Sequence, residues 1–123
     1  MAKRILIAED DEAIRKSVAL FLEKLGYEVE ETADGEEAIA LVCDPYSEIQ
    51  LLLLDVRMPG ADGITVLSEM KKNRSTIPVV MMSNLDDDET VASAQLLGAR
   101  GYLVKSNTDW PKLQKTIEDI FKV

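Results

Sequence analysis

The 123-residue chain contains no histidine. That absence excludes Ser-His-Asp and Cys-His catalysis, together with histidine-ligated zinc or haem sites. Any chemistry must draw on carboxylates, hydroxyls and lysine. Cysteine is almost as rare: Cys43 stands alone, cannot form an internal disulfide, and reads as a small half-buried hydrophobe in a helix. The six glycines form no nucleotide motif. Gly60 and Gly63, and then Gly98 and Gly101, are spaced by three, and no Gly-Lys-Ser/Thr occurs, so a dinucleotide fingerprint and a P-loop are both missing. Long apolar runs are missing too. Leu51 to Leu54 falls far short of the roughly 20 residues a membrane span needs. The apolar stretch after Met1-Ala2-Lys3-Arg4 stops at Glu9, too soon for the core of a signal peptide. A cytoplasmic protein with no membrane partner is expected.

Apolar residues make up 46% of the chain and charged residues 30%, the balance of a globular protein. With no break in composition, residues 1–123 are expected to form a single domain around one core. The net charge of -9 repels polyanions, so direct nucleic-acid binding is not expected.

Short apolar runs alternate with segments of helical period, giving five βα pairs. Strands are expected at 4–8, 27–32, 49–54, 78–82 and 101–104, and helices at about 36–42, 63–73 and 86–97. The first helix places Ile14, Val18, Leu22 and Leu25 on one face and closes at Gly26; Gly98 caps the fourth. The last helix tolerates Pro111 in its first turn, runs to Phe121 and turns Leu113, Ile117 and Ile120 inward. Alternation of this kind implies an α/β fold with a five-stranded parallel sheet and helices on both faces. In the flavodoxin-like (βα)5 order 2-1-3-4-5, the C-terminal ends of strands one and three line one crevice at the topological switch point.

Every residue at those strand ends is polar: Glu9-Asp10, Asp55, Ser83 and Lys105. Three carboxylates brought together by strands one and three need a neutralising cation. Oxygen ligands with room for water and phosphate suit Mg2+. Asp55 is then left as a nucleophile able to form an acyl phosphate, with Lys105 and Ser83 as donors to the transferring oxygens. Each residue alone also has a plainer reading. Glu9-Asp10-Asp11 could cap a helix, as Asp11 is expected to do. A lone Lys105 reads as a solvated lysine, Ser83 as a turn residue and Tyr102 as a core aromatic. The plainer reading is preferred outright for the acidic run Asp86-Asp87-Asp88-Glu89, a helix start, and for Trp110, a packing residue.

Three stretches, Ile5 to Asp11, Asp55 to Gly63 and Gly98 to Lys105, resemble the motifs of response-regulator receiver domains, the switch modules of two-component signalling, and together span nearly the whole chain. By that resemblance Glu9 and Asp10 match the acidic pair that holds Mg2+, Asp55 the phosphorylated aspartate, and the backbone carbonyl of Arg57 a further metal ligand. Ser83 matches the switch hydroxyl, Tyr102 the switch aromatic and Lys105 the family's lysine. The resemblance implies a phosphoprotein that takes its phosphoryl group from a phosphohistidine of a sensor histidine kinase or histidine phosphotransfer protein. Phosphorylation would then remodel the face of helix four, strand five and helix five for an output partner that the sequence does not identify. Such a receiver assists its own phosphorylation and dephosphorylation and is not otherwise an enzyme.

Departures from the family pattern are local. Lys105-Ser106 replaces the usual Lys-Pro with its cis bond; without proline, cis costs about 2.5–4 kcal/mol, and trans is expected. Asn84 replaces a small alanine, and Arg57 and Leu85 occupy positions that tune water access to the acyl phosphate. Scarce basic residues on helix four differ from the dimerising winged-helix regulators, and a stand-alone receiver is expected. Two other functions compete. A phosphatase with an aspartyl-phosphate intermediate needs a second aspartate two residues on, where Arg57 stands. A receiver-like interaction module that is never phosphorylated would not need the acidic, serine and lysine positions intact.

Overall fold

The hydrophobic runs fix the sheet. In the computed structural model, which describes residues 2–84, 88–105 and 109–122, Leu51–Asp55 (β3) is buried at every position, as a central parallel strand covered on both faces must be. Arg4–Ala8 (β1), Glu28–Thr32 (β2), Val79–Ser83 (β4) and Gly101–Val104 (β5) complete a parallel sheet of order β2-β1-β3-β4-β5. The helices are Glu12–Lys24 (α1), Gly35–Val42 (α2), Gly63–Lys72 (α3), Asp88–Leu96 (α4) and Trp110–Phe121 (α5).

Side chains alternate across the strands and so build two apolar layers. Ile5, Ile7, Leu51 and Leu53 pack with Val18 and Leu22 of α1 and with Leu113 and Ile117 of α5. On the other face Leu6, Leu52 and Leu54 pack with Val42 of α2, Leu67 of α3 and Ala94 of α4. Each such side chain, fully removed from water, contributes about 1.5–3 kcal/mol. Helix starts are set by aspartate: Asp11, Asp34, Asp62 and Asp109 each accept backbone N–H bonds at the heads of α1, α2, α3 and α5. The edge strand β2 is blunted by Glu28, Glu30 and Glu31, the first two paired to Arg4 at 3.1 and 3.4 Å.

Several boundaries shift from the sequence reading. β3 begins at Leu51, because Ile49 is buried in the core without joining the ladder. β4 begins at Val79 and ends at Ser83, leaving Pro78 to offer only its carbonyl to Leu52 N–H at 3.0 Å. β2 begins at Glu28 rather than Tyr27. Leu25 is the cap of α1 rather than part of its inner face and is 37% exposed. Gly26 and Gly98 both take φ of 96°, as helix-ending residues do. Cys43 caps the end of α2 and is half-buried, with burial pushing its thiol pKa up. Trp110 packs at 4.7 Å from Phe21, ring centre to ring centre. Leu85, Asp86, Asp87 and Ser106 lie outside the described residues, and so does the geometry of the Lys105-Ser106 bond; α4 is described from Asp88 onward. Among the described residues no helix is long and apolar enough to cross a membrane.

Candidate functional site

β1 and β3 are neighbours whose connections leave on opposite faces, and their C-terminal ends open one cleft. Glu9 follows β1 and is 3% exposed. Its N–H donates to Thr32 O at 3.0 Å, its Oε2 accepts from Asp11 N–H at 3.2 Å, and its carbonyl accepts from Arg15 Nη1 at 2.9 Å. Asp10, next along, is exposed. Asp55 ends β3 and is 4% exposed, with Oδ1 accepting from Arg57 N–H at 3.4 Å. One carboxylate oxygen from each of Glu9, Asp10 and Asp55 lies within 4.8 Å of the others.

Lys105, one residue past β5, closes the group. Its ammonium donates to Glu9 Oε1 and lies 3.2 Å from Asp55 Oδ2. Ser83, buried as the last residue of β4, lines the same cleft of about 290 Å3 as Asp10, Asp55, Arg57 and Lys105. The six residues anticipated around the phosphorylation and metal positions therefore do converge. Tyr102 sits one strand away, half-buried against the layer formed by α2, α3 and α4. The cleft is not the roomiest depression on the surface, since a groove at the sheet's other edge measures about 540 Å3. Its concentration of buried ionisable groups, rather than its size, marks it as the site.

Electrostatics decide what kind of ligand the cleft suits. Burial and the adjoining Asp55 push the Glu9 carboxyl up to about 7, although Lys105 pulls the other way. Burial also disfavours the charge on Lys105, but the two carboxylates outweigh it and hold its pKa above the usual lysine value. One ammonium among three carboxylates leaves an excess of negative charge with only oxygen donors around it. That donor set fits a hard divalent cation.

Arg15 was not anticipated from sequence. Its guanidinium bridges the Glu9 carbonyl and Glu31 Oε1, the latter at 3.1 Å from Nε, and so ties the acidic loop to β2. The only sequence trace was a basic residue four positions after the capping Asp11.

A family profile described as a response regulator receiver domain matches residues 5–118. The chemotaxis protein CheY of Treponema pallidum is 33% identical over 97% of this chain and 83% of its own length. Identity is 39% to the transcriptional regulatory protein PdtaR of Mycobacterium tuberculosis, over 84% of this chain and 49% of the relative, and 39% to the probable transcriptional regulator ycf27 of Cyanophora paradoxa, over 84% and 42%. The chain thus spans less than half the length of those two regulators. Among solved structures, CheY in the CheX-CheY-BeF3-Mg2+ complex of Borrelia burgdorferi superimposes with a TM-score of 0.89 at 30% identity, covering 98% of this chain and 90% of that one. A CheY-like receiver domain of Methanospirillum hungatei gives 0.87 at 30%, covering 97% and 93%.

Proposed function

Because the chain belongs to the response-regulator receiver family of two-component signalling, we propose that Asp55 accepts a phosphoryl group and that residues 1–123 act as a single phosphoacceptor switch domain. The observation that carries this reading is the buried Asp55 carboxylate, ion-paired to Lys105 and facing the carboxylates of Glu9 and Asp10.

In the proposed transfer a carboxylate oxygen of Asp55 attacks phosphorus. The bond from phosphorus to the nitrogen of a phosphohistidine on a sensor kinase or phosphotransfer protein breaks, and the dephosphorylated histidine leaves as imidazole, its nitrogen taking up a proton. Lys105 would shift its ammonium onto one phosphoryl oxygen, and the Ser83 hydroxyl would donate to another. Glu9, Asp10, Asp55 and the Arg57 carbonyl are the groups that would hold Mg2+, which when bound offsets charge on the transferring oxygens. The BeF3 and Mg2+ named for the Borrelia CheY complex support this assignment. The chain would work in the cytoplasm as a signalling partner rather than a turnover enzyme, with its output read from the face of α4, β5 and α5; Tyr102 of β5 pairs with Met81, two positions before Ser83 on the neighbouring β4. A phosphatase is disfavoured by Arg57, an exposed cation where that chemistry needs an aspartate.

Incubation with acetyl phosphate and Mg2+, followed by intact mass, is expected to add one phosphoryl group per chain. Chelation of Mg2+ or Asp55→Asn should abolish the addition. Label that persists in Asp55→Asn would overturn the assignment, and sustained turnover of a phosphomonoester would restore the enzyme reading.

A further inference from the structure

At the edge of the sheet away from the carboxylate cleft, the C-terminal end of α3, the start of β4 and the end of α4 surround the groove of about 540 Å3. We propose that this groove docks an acidic peptide segment of a partner protein, one that carries an aliphatic anchor residue. The inference is independent of the phosphoacceptor reading.

The lining is anomalous for this molecule. The chain has 23 acidic residues against 14 basic ones, yet Lys71, Arg74 and Arg100 line the groove and no carboxylate does. Among the described residues, none of these three cations is in an ion pair, so each is open to a carboxylate brought by a partner. Lys71 lies in the last turn of α3, where it complements the helix dipole, and so has a purely structural reason to be there. No such reason covers the other two.

Arg74 adopts φ of 58°, a left-handed conformation that glycine takes freely and a residue with a Cβ does not. The turn is pinned on both sides. Arg74 N–H donates to Lys71 O at 3.1 Å, Ser75 N–H to Met70 O at 2.8 Å, and Ser75 Oγ to Val42 O at 2.9 Å. Arg100 is pinned as well, its N–H donating to Val79 O at 2.8 Å. Both cations are thus carried on fixed backbone, which limits the ordering cost of binding.

Between the cations the surface is aliphatic. Half-buried Ile77 and Leu97 line the groove above the buried Met70, and Leu96 projects into solvent at 80% exposure. A bare anion would leave those groups unused, whereas an acidic peptide with a leucine-like side chain would engage both kinds of contact. A second copy of the chain suits the groove less well. The carboxylates of its open edge strand, Glu28, Glu30 and Glu31, are already paired with Arg4, Arg15 and Lys16.

The test uses the full chain and a fluorescent synthetic peptide of alternating glutamate and leucine, with its glutamine-leucine counterpart as control. Saturable anisotropy is expected for the acidic peptide, weakening with added salt, with amide chemical-shift changes clustered at Arg74, Ile77, Leu97 and Arg100. The double variant Arg74→Glu, Arg100→Glu should weaken binding about tenfold or more, the combined scale of a few rim ion pairs turned repulsive. Leu96→Ser should also weaken it, and since the residue is exposed, the unfolding temperature should not move. Four outcomes would overturn the proposal: equal binding of the glutamine-leucine peptide, unchanged affinity in the double variant, displacement of the peptide by inorganic polyphosphate irrespective of Leu96, or self-association of the chain that the double variant abolishes.

Discussion

Glu9 shows how one side chain ties the cleft's chemistry to pH. Its carboxyl is pushed from 4.5 up to about 7 by burial first and by the hydrogen-bonding contact with Asp55 second. A carboxyl whose pKa is higher in the fold than in the unfolded chain leaves the native state holding more protons between those two values. The stability this group contributes is therefore present at low pH and is lost as pH rises from 4.5 through about 7. Metal binding has the opposite slope, because the ion competes with that proton. Mg2+ affinity, measured by calorimetric titration across this range, is expected to climb as pH rises and to level off above about 7. Glu9→Gln should flatten the climb and remove the matching slope in metal-free stability. A wild-type affinity indifferent to pH between 6 and 8, roughly one unit either side of the shifted value, would mean that Glu9 is not a ligand.

Elements position the cleft by packing as closely as backbone allows, and Gly63 at the head of α3 is where that closeness is greatest near Asp55. A Cβ there would lie 2.5 Å from the Asp55 carbonyl oxygen and 2.9 Å from Val56 Cα, both backbone atoms with no freedom to swing aside. Gly63→Ala must therefore lift α3 from the end of β3. The expected cost is about 1–3 kcal/mol in urea unfolding, with slower phosphorylation from acetyl phosphate because Asp55 moves with its strand. Unchanged stability would show that the helix head is looser than its contacts indicate. Elements were also the scale at which the sequence was most legible. Leu51 to Leu54 announced a strand covered on both faces, and acids at the strand ends announced a charged crevice, because burial and polarity are written in residue type. Ile49 misled for the same reason: it is buried like a strand residue but makes no ladder contact, and hydrophobicity does not encode hydrogen bonding. Arg15 stayed hidden because its role is a distance to a carbonyl six residues away, and only the folded loop creates that distance.

At the scale of the whole molecule, a net charge of -9 means that the compact state works against its own repulsion. Two cation effects on stability must then be separated. Sodium chloride screens the repulsion everywhere, so the unfolding temperature should rise gradually with ionic strength and without saturating at low concentration. Under the proposed metal site Mg2+ would add binding to the native cleft, contributing RT ln(1 + [L]/Kd), about 2.7 kcal/mol when the ion is at a hundred times its dissociation constant. At matched ionic strength, MgCl2 is expected to raise the unfolding temperature above NaCl along a saturating curve. Asp55→Asn should keep the sodium response and lose most of the magnesium increment, since it alters one charge in the total but one of the three carboxylates that converge within 4.8 Å. Identical curves for the two salts would reduce the acidic cleft to one more patch of a negatively charged surface, and the case for a metal-assisted phosphoacceptor would fall with it.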